Sequence, residues 1–143
     1  MIDSIKTVSK NSESKIEMKK SVFIGTIINV TDEEDAKRKL DELRSKYKDA
    51  THNVPAYRIY DASKNMIIEK CSDDGEPQGT SGKPILDLLK HKDMLNTLVV
   101  VTRYFGGTLL GTGGLVKAYT DCAKELIENA NIVTLKLKDY YKL

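Results

Sequence analysis

CSDDGEPQGTSGKPILDLLKHKDMLNTLVVVTRYFGGTLLGTGGLVKAY, residues 71–119, decides the reading of this chain. At its centre is TLVVVT, residues 97–102, a continuous β-branched and aliphatic run of strand length. Such a run predicts a central strand buried on both faces. Residues 115–129 follow as an amphipathic helix packed across the sheet, with Leu115, Ala118, Tyr119, Cys122 and Leu126 along one side. Eight of the nine glycines lie in this stretch, and only Gly25 falls outside it. They cluster in two loops, at residues 71–83 and 103–114. Glycine is favoured where φ is positive or where another group approaches the main chain. Beside Asp73, Asp74, Glu76, Lys83 and Arg103, these loops read as shaped surfaces rather than linkers.

Working outward, residues 56–60 and 66–70 read as an antiparallel pair turned through 61–65. Residues 21–30 form a further strand, with Gly25 as a candidate bulge. Thr31 and Glu34 match a capping box, followed by a helix to about Tyr47 with Ala36, Leu40 and Leu43 on its apolar face. Pro84 suits the first turn of a short helix over 85–90. Residues 15–19 alternate weakly as a strand, 132–137 read as a last strand, and the polar residues 1–14 are expected to be loosely held. The order predicts an α+β fold, a two-layer mixed sheet with helices on one face.

The chain has 143 residues, 40% of them hydrophobic and 31% charged, with a net charge of +2. One folded domain accounts for this length. A charge so small does not by itself demand nucleic acid. No apolar run is long enough for a membrane helix, so no membrane partner is expected, and the N-terminus lacks a signal-peptide core. Cys71 and Cys122 have no metal-type spacing, which fits a reduced, cytoplasmic protein.

The second loop opens a helix, and free N–H groups beside glycines form a natural anion site. Gly111, Gly113 and Gly114 are therefore binding candidates, with tight packing as the competing reading. The nucleotide motifs are absent. From Gly111, the third glycine of G-x-G-x-x-G falls on Val116; the first glycine of a phosphate loop before Gly82 falls on Pro77. Asp73, Asp74 and Glu76 offer carboxylates for a cation, for acid–base work or for docking, but no calcium-loop pattern surrounds them. Arg103 at a strand end, with Tyr104 and Phe105 for stacking, suits a phosphate. Its competing role is a structural ion pair with Asp73 or Asp74. Lys83 and Lys117 complete the candidate set. His52 is the histidine nearest these loops. Cys71, beside acidic residues, is a poor nucleophile, and Cys122 reads as core. No catalytic set, metal site or cofactor motif emerges.

The stretches DATH at 49–52, SDDGEP at 72–77, GTSGKP at 79–84 and VVVTRYFGGTLLGTGGLVKAY at 99–119 together resemble the YigZ/IMPACT N-terminal domain family. The resemblance covers about residues 19–130. It implies a fold like the second domain of small-subunit ribosomal protein five, shared with GHMP kinases and elongation-factor domain IV. It also implies a binding module for translation or its regulation, acting through RNA, the ribosome or a ribosome-associated protein. The alternative is an enzyme or small-molecule binder with an anion site at the glycine loops. The family's eukaryotic members act in amino-acid starvation, through a further partner-binding domain, so that regulation is not carried over. Residues 15–132 are expected to form the family's domain. Residues 133–143 match the linker and first strand of the ferredoxin-like domain that bacterial members carry.

Overall fold

The computed structural model describes residues 2–137. Their elements are β1 Ser4–Val8, β2 Ser12–Met18, β3 Ser21–Asn29, α1 Glu33–Lys46, β4 His52–Asp61, β5 Met66–Cys71, α2 Gly82–His91, β6 Thr97–Tyr104, α3 Gly111–Glu128 and β7 Ile132–Lys136. Five strands pair in the order β2-β3-β6-β4-β5, and β1 and β7 form a separate two-stranded ribbon.

β6 is the middle strand, and its period-2 alternation divides the interior in two. Val99 and Val101 face one side, with Phe23, Ile27, Val54 and Ala56, beneath Ile85 and Leu89 of α2 and Leu115, Tyr119 and Leu126 of α3. Leu98 and Val100 face the other, with Ile28, Val30, Tyr57 and Ile59, beneath Ala36, Leu40 and Leu43 of α1. The apolar run 97–102 is thus continuous because both faces of its strand are covered. The α+β class stands, while the layout differs from the expected one: α1 covers the face opposite α2 and α3, and every strand pair within the two sheets is antiparallel.

The start of α1 also differs by one residue from the sequence reading. Asp32, not Thr31, is the N-cap; its Oδ1 accepts from the Asp35 N–H at 2.8 Å, and Asp35 Oδ2 accepts from the Thr31 N–H at 2.9 Å. The arrangement resembles a capping box with carboxylates in both places, except that Asp35 accepts from the residue before the N-cap. Burial pushes the Asp35 carboxyl up, yet the bonds from Thr31 and Lys39 and the nearby Arg38 outweigh it and hold the group below its ordinary value. Both later helices begin earlier than expected, at Gly82 and Gly111, because glycine lowers apparent helix propensity without preventing a first turn.

Within the expected loose segment 1–14, the described residues 2–14 are not loose. β1 pairs with β7 from Ser4↔Lys136 to Val8↔Ile132. Ile5 is buried with Tyr60 and Leu95, and the Leu95 N–H donates to the Lys6 carbonyl at 2.8 Å. Thr7, fully buried, donates its hydroxyl to the Asn96 carbonyl. Only two or three apolar side chains signal this strand; its stability comes from a partner more than 120 residues away. The last strand is likewise held by β1 and not by an edge of the five-stranded sheet. The remainder of the 133–143 segment, from residue 138, lies outside the described residues.

Replacing Ile5 by alanine is expected to lower the unfolding free energy by about 2–4 kcal/mol, the usual cost of emptying a buried aliphatic site. Urea denaturation checks this; an unchanged midpoint would mean that the ribbon contributes nothing to the fold.

Candidate functional site

The two glycine loops meet where β6 ends. Arg103 lies on β6 opposite Phe23 of β3 and His52 of β4. With only 6% of its side chain exposed, it needs a counter-charge. That partner is Glu76, whose side chain is 3% exposed; Arg103 Nη1 lies 3.0 and 2.9 Å from its two oxygens. The Tyr119 hydroxyl from α3 donates to the same carboxylate at 2.6 Å, and His52 Nε2 lies 3.3 Å from Glu76 Oε1. Burial, then the adjoining Glu76, pushes the Tyr119 hydroxyl far above the ordinary phenol value. It is a fixed donor, not an acid. The His52 ring is oriented from its other side by a 2.8 Å bond from Nδ1 to the Asp74 carbonyl oxygen.

The rest of the Arg103 head group is held by its surroundings. Nη2 donates to Ser21 Oγ at 3.2 Å, and the guanidinium carbon lies 5.6 and 5.5 Å from the ring centres of Phe23 and Phe105. Cations over aromatic faces are stabilised by the ring quadrupole. Nε has no hydrogen-bond partner although it is buried. Ser21 Oγ also accepts from the Gly106 N–H, which ties the second loop to the β2–β3 turn. A Cβ at Gly106 would lie 2.2 Å from the Lys20 backbone, so that position requires glycine. These groups border a cleft of about 290 Å³, walled by Thr51, His52 and Glu76 on one side and by Phe105, Leu110 and Gly111 on the other.

The predicted residues fall into three groups. Glu76, Arg103 and Gly111 line the cleft. Asp73 and Asp74 build its wall. Asp73 accepts from the N–H groups of Gly79, Ser81 and Gly82 at 2.8, 3.2 and 3.0 Å, and so caps α2, whose N-cap Ser81 provides no side-chain bond. Asp74 accepts from the Asn53 N–H at 2.7 Å. Neither acidic side chain is Arg103's partner; the ion pair expected with Asp73 or Asp74 is made with Glu76. The others lie apart from the cleft. Tyr104 donates its hydroxyl to Asp49, Lys83 pairs with Asp87, and Lys117 pairs with Asp121, all exposed. Gly113 and Gly114 are in the first turn of α3 rather than in a loop.

Sequence reasoning missed the roles of Tyr119 and Ser21. Tyr119 fits an apolar helix stripe, and nothing local marks its hydroxyl as the donor to a carboxylate 43 residues earlier. His52 carried one usable signal, its place in the DATH stretch. Burial, then Asp73, raises the Cys71 thiol, and burial pushes the Cys122 thiol up to about 11. Both therefore stay protonated at neutral pH. Among the described residues, no cluster of His, Cys, Asp and Glu is arranged for a metal, and no helix is long and apolar enough to cross a membrane.

Residues 19–127 match the family model of the Impact N-terminal domain, and the chain belongs to that family. It is 40% identical over 137 residues to IMPACT family member YvyE of Bacillus subtilis, covering 96% of this chain and 62% of that one. It is 44% identical over 103 residues to IMPACT family member YigZ of Escherichia coli, covering 72% and 50%. Protein IMPACT of Danio rerio matches at 38% over 120 residues, covering 82% and 37%. The chain thus spans 62% and 50% of the length of these two bacterial relatives. Among solved structures, one described as an hypothetical protein superposes with a TM-score of 0.88 at 34% identity, over 95% of this chain and 66% of that one. The two-domain translational regulator Yih1 superposes with a TM-score of 0.52 at 30% identity, over 87% and 47%.

Asp73→Ala removes the acceptor for three N–H groups at once. A loss of about 2 kcal/mol is expected, at the upper end for a helix cap. Urea denaturation reads it directly, and a change below about 0.5 kcal/mol, the usual range for a surface substitution, would show that the loop is held by other means.

Proposed function

We propose that this chain is a non-catalytic binding module of translation regulation, and that it engages a protein of the translation apparatus, ribosomal or ribosome-associated, through the mouth of the cleft. The observation that carries the reading is a contrast between the floor and the rim. The polar groups of the floor are turned on one another: Glu76 on Arg103 and Tyr119, His52 on the Asp74 carbonyl. Groups so engaged are poorly placed to shuttle protons to a substrate. At the rim, Phe105 is 46% exposed and Leu109 82% exposed. Exposed aromatic and aliphatic side chains around a preformed cleft are the usual anchors of a protein interface.

Membership of the Impact N-terminal domain family supports the association with translation. So does the likeness to Yih1, described as a translational regulator. A cytoplasmic location follows from the same reading. Direct RNA binding is less well supported by the site. An RNA groove needs several unpaired cations along a backbone, whereas the cleft's one arginine is already matched by Glu76.

The test is capture of the tagged chain on ribosomal fractions, repeated across a salt series. Binding is expected to survive moderate salt, because apolar contacts carry it. Leu109→Glu should abolish capture while leaving stability within about 0.5 kcal/mol, as for other exposed positions. Capture that is unaffected by this change, or that is lost in proportion to salt and to ribonuclease treatment, would overturn the reading in favour of RNA contacts.

A further inference from the structure

The two outer strands of the five-stranded sheet are guarded differently. In β2, Glu13, Lys15 and Glu17 alternate as exposed charges, a common protection of a sheet edge. β5 instead opens with Met66, Ile67 and Ile68, and Met66 is 48% and Ile67 39% exposed. The charges that follow are engaged, Glu69 with Arg58 at 2.7 Å and Lys70 with Glu33 at 3.1 Å. Among the described residues, β5 has a neighbouring strand on one side only. Two hydrogen bonds show which main-chain groups face the open side. The Ser72 N–H donates to the Pro55 carbonyl at 3.2 Å, so that pair is a bonded one. The Tyr60 N–H, opposite Ile67, turns away from β5 to Asn96 Oδ1 at 3.0 Å. Bonded pairs alternate along an antiparallel ladder. Met66, Ile68 and Lys70 therefore bond to β4, while Ile67, Glu69 and Cys71 direct their N–H and C=O groups outward.

A groove of about 730 Å³ lies beside this edge, between the start of α1 and the β4–β5 turn. Ile59, Ala62 and Ile68 give it an apolar wall, and its rim is acidic. Asp32, Glu34 and Asp61 stand there, none of them in an ion pair among the described residues, against the ammonium of Lys64. Ile68 packs with the core on the α1 side, so Met66 shares its face by the period of a strand. We propose that β5 and this groove form a docking site for an extended basic segment of a partner protein. The segment adds to the sheet as a further strand, sets an aliphatic side chain against Met66 and Ile68, and lays lysines or arginines along the rim. Charge complementarity selects this occupant. A second copy of the chain suits the edge less well: it brings the same acidic rim, and its Lys70 is already held by Glu33. The site lies at the other end of β4 from His52, and so is separate from the cleft.

The test uses the 143-residue chain labelled with nitrogen-15. It is titrated with acetyl-Lys-Thr-Ile-Thr-Arg-Thr-amide, whose charged and aliphatic side chains share one face of a strand, and separately with the peptide carrying glutamate in place of lysine and arginine. The basic peptide is expected to move the amide signals of Ile67, Glu69 and Cys71 saturably in the millimolar range, and more than those of Met66, Ile68 and Lys70. The acidic peptide should bind about tenfold more weakly. Glu34→Lys, an exposed change, should weaken the basic peptide about fivefold, the effect of one exposed ion pair. Ile67→Pro removes an outward donor and no bond to β4, and should abolish binding while the signals of Val99 and Val101 stay in place. If the proline variant does not fold, Glu34→Lys decides alone. Four results overturn the proposal: no movement of the outward amides, equal binding of the two peptides, no effect of Glu34→Lys, or movement of these amides with the concentration of the chain itself, which would assign the edge to a second copy.

Discussion

Everything around the cleft depends on the burial of one carboxylate. Taking Glu76 out of water costs several kcal/mol, and that cost is met only if donors surround the group with good geometry. Two separate parts of the chain do so, β6 through Arg103 and α3 through Tyr119, while His52 of β4 lies 3.3 Å from one carboxylate oxygen. The loop that carries Glu76 is fixed in turn by Asp73 and Asp74, whose carboxylates accept backbone N–H groups on α2 and β4. The acidic turn is thus spent on architecture, and its most deeply buried member organises the site. The bonds from Tyr119 and Arg103 give the network direction as well as energy, since each donor arrives from a different element and fixes the position of that element.

The sheet makes this arrangement possible. Because β6 is central and covered on both faces, the end of the strand is a rigid point from which Arg103 projects toward the α2–α3 side. Phe23 joins the core to the site: it packs edge-on against the Tyr119 ring at 5.2 Å and lies against the Arg103 guanidinium. Movement of α3 over the sheet would therefore disturb the ion pair and the rim together. The cleft inherits the stability of the core, while Phe105 and Leu109 on the second loop remain exposed for contact.

Much of this was legible from local pattern. The run 97–102 reads as a strand covered on both faces, and the spacing of Leu115, Tyr119, Cys122 and Leu126 as one buried helix stripe; the structure has both. The glycine loops were recognisable as shaped, and Gly106 shows why, with the Lys20 backbone where a side chain would be. What pattern did not show was pairing at a distance. Which of three acidic residues meets Arg103 depends on how residues 72–81 fold over the sheet, and that is set by backbone N–H groups, invisible in a sequence. Tyr119 reads as an apolar stripe residue because its ring is one; only its hydroxyl belongs to the site. β1 was missed because a five-residue strand gains its stability from β7, at the other end of the described chain. α1 was assigned to the wrong face because amphipathicity shows that a helix has a buried side, but not which layer it meets.

A double-mutant cycle between Glu76 and Arg103 tests the central claim most directly. Glu76→Gln, Arg103→Met and the combined change are compared by urea unfolding at neutral pH. If the buried pair organises the site, each single change leaves the other charge without its partner, and the double change costs far less than the sum. A coupling of about 3 kcal/mol is expected for a pair so deeply buried. Additivity within about 0.5 kcal/mol would contradict the account and place the cohesion of the two loops elsewhere.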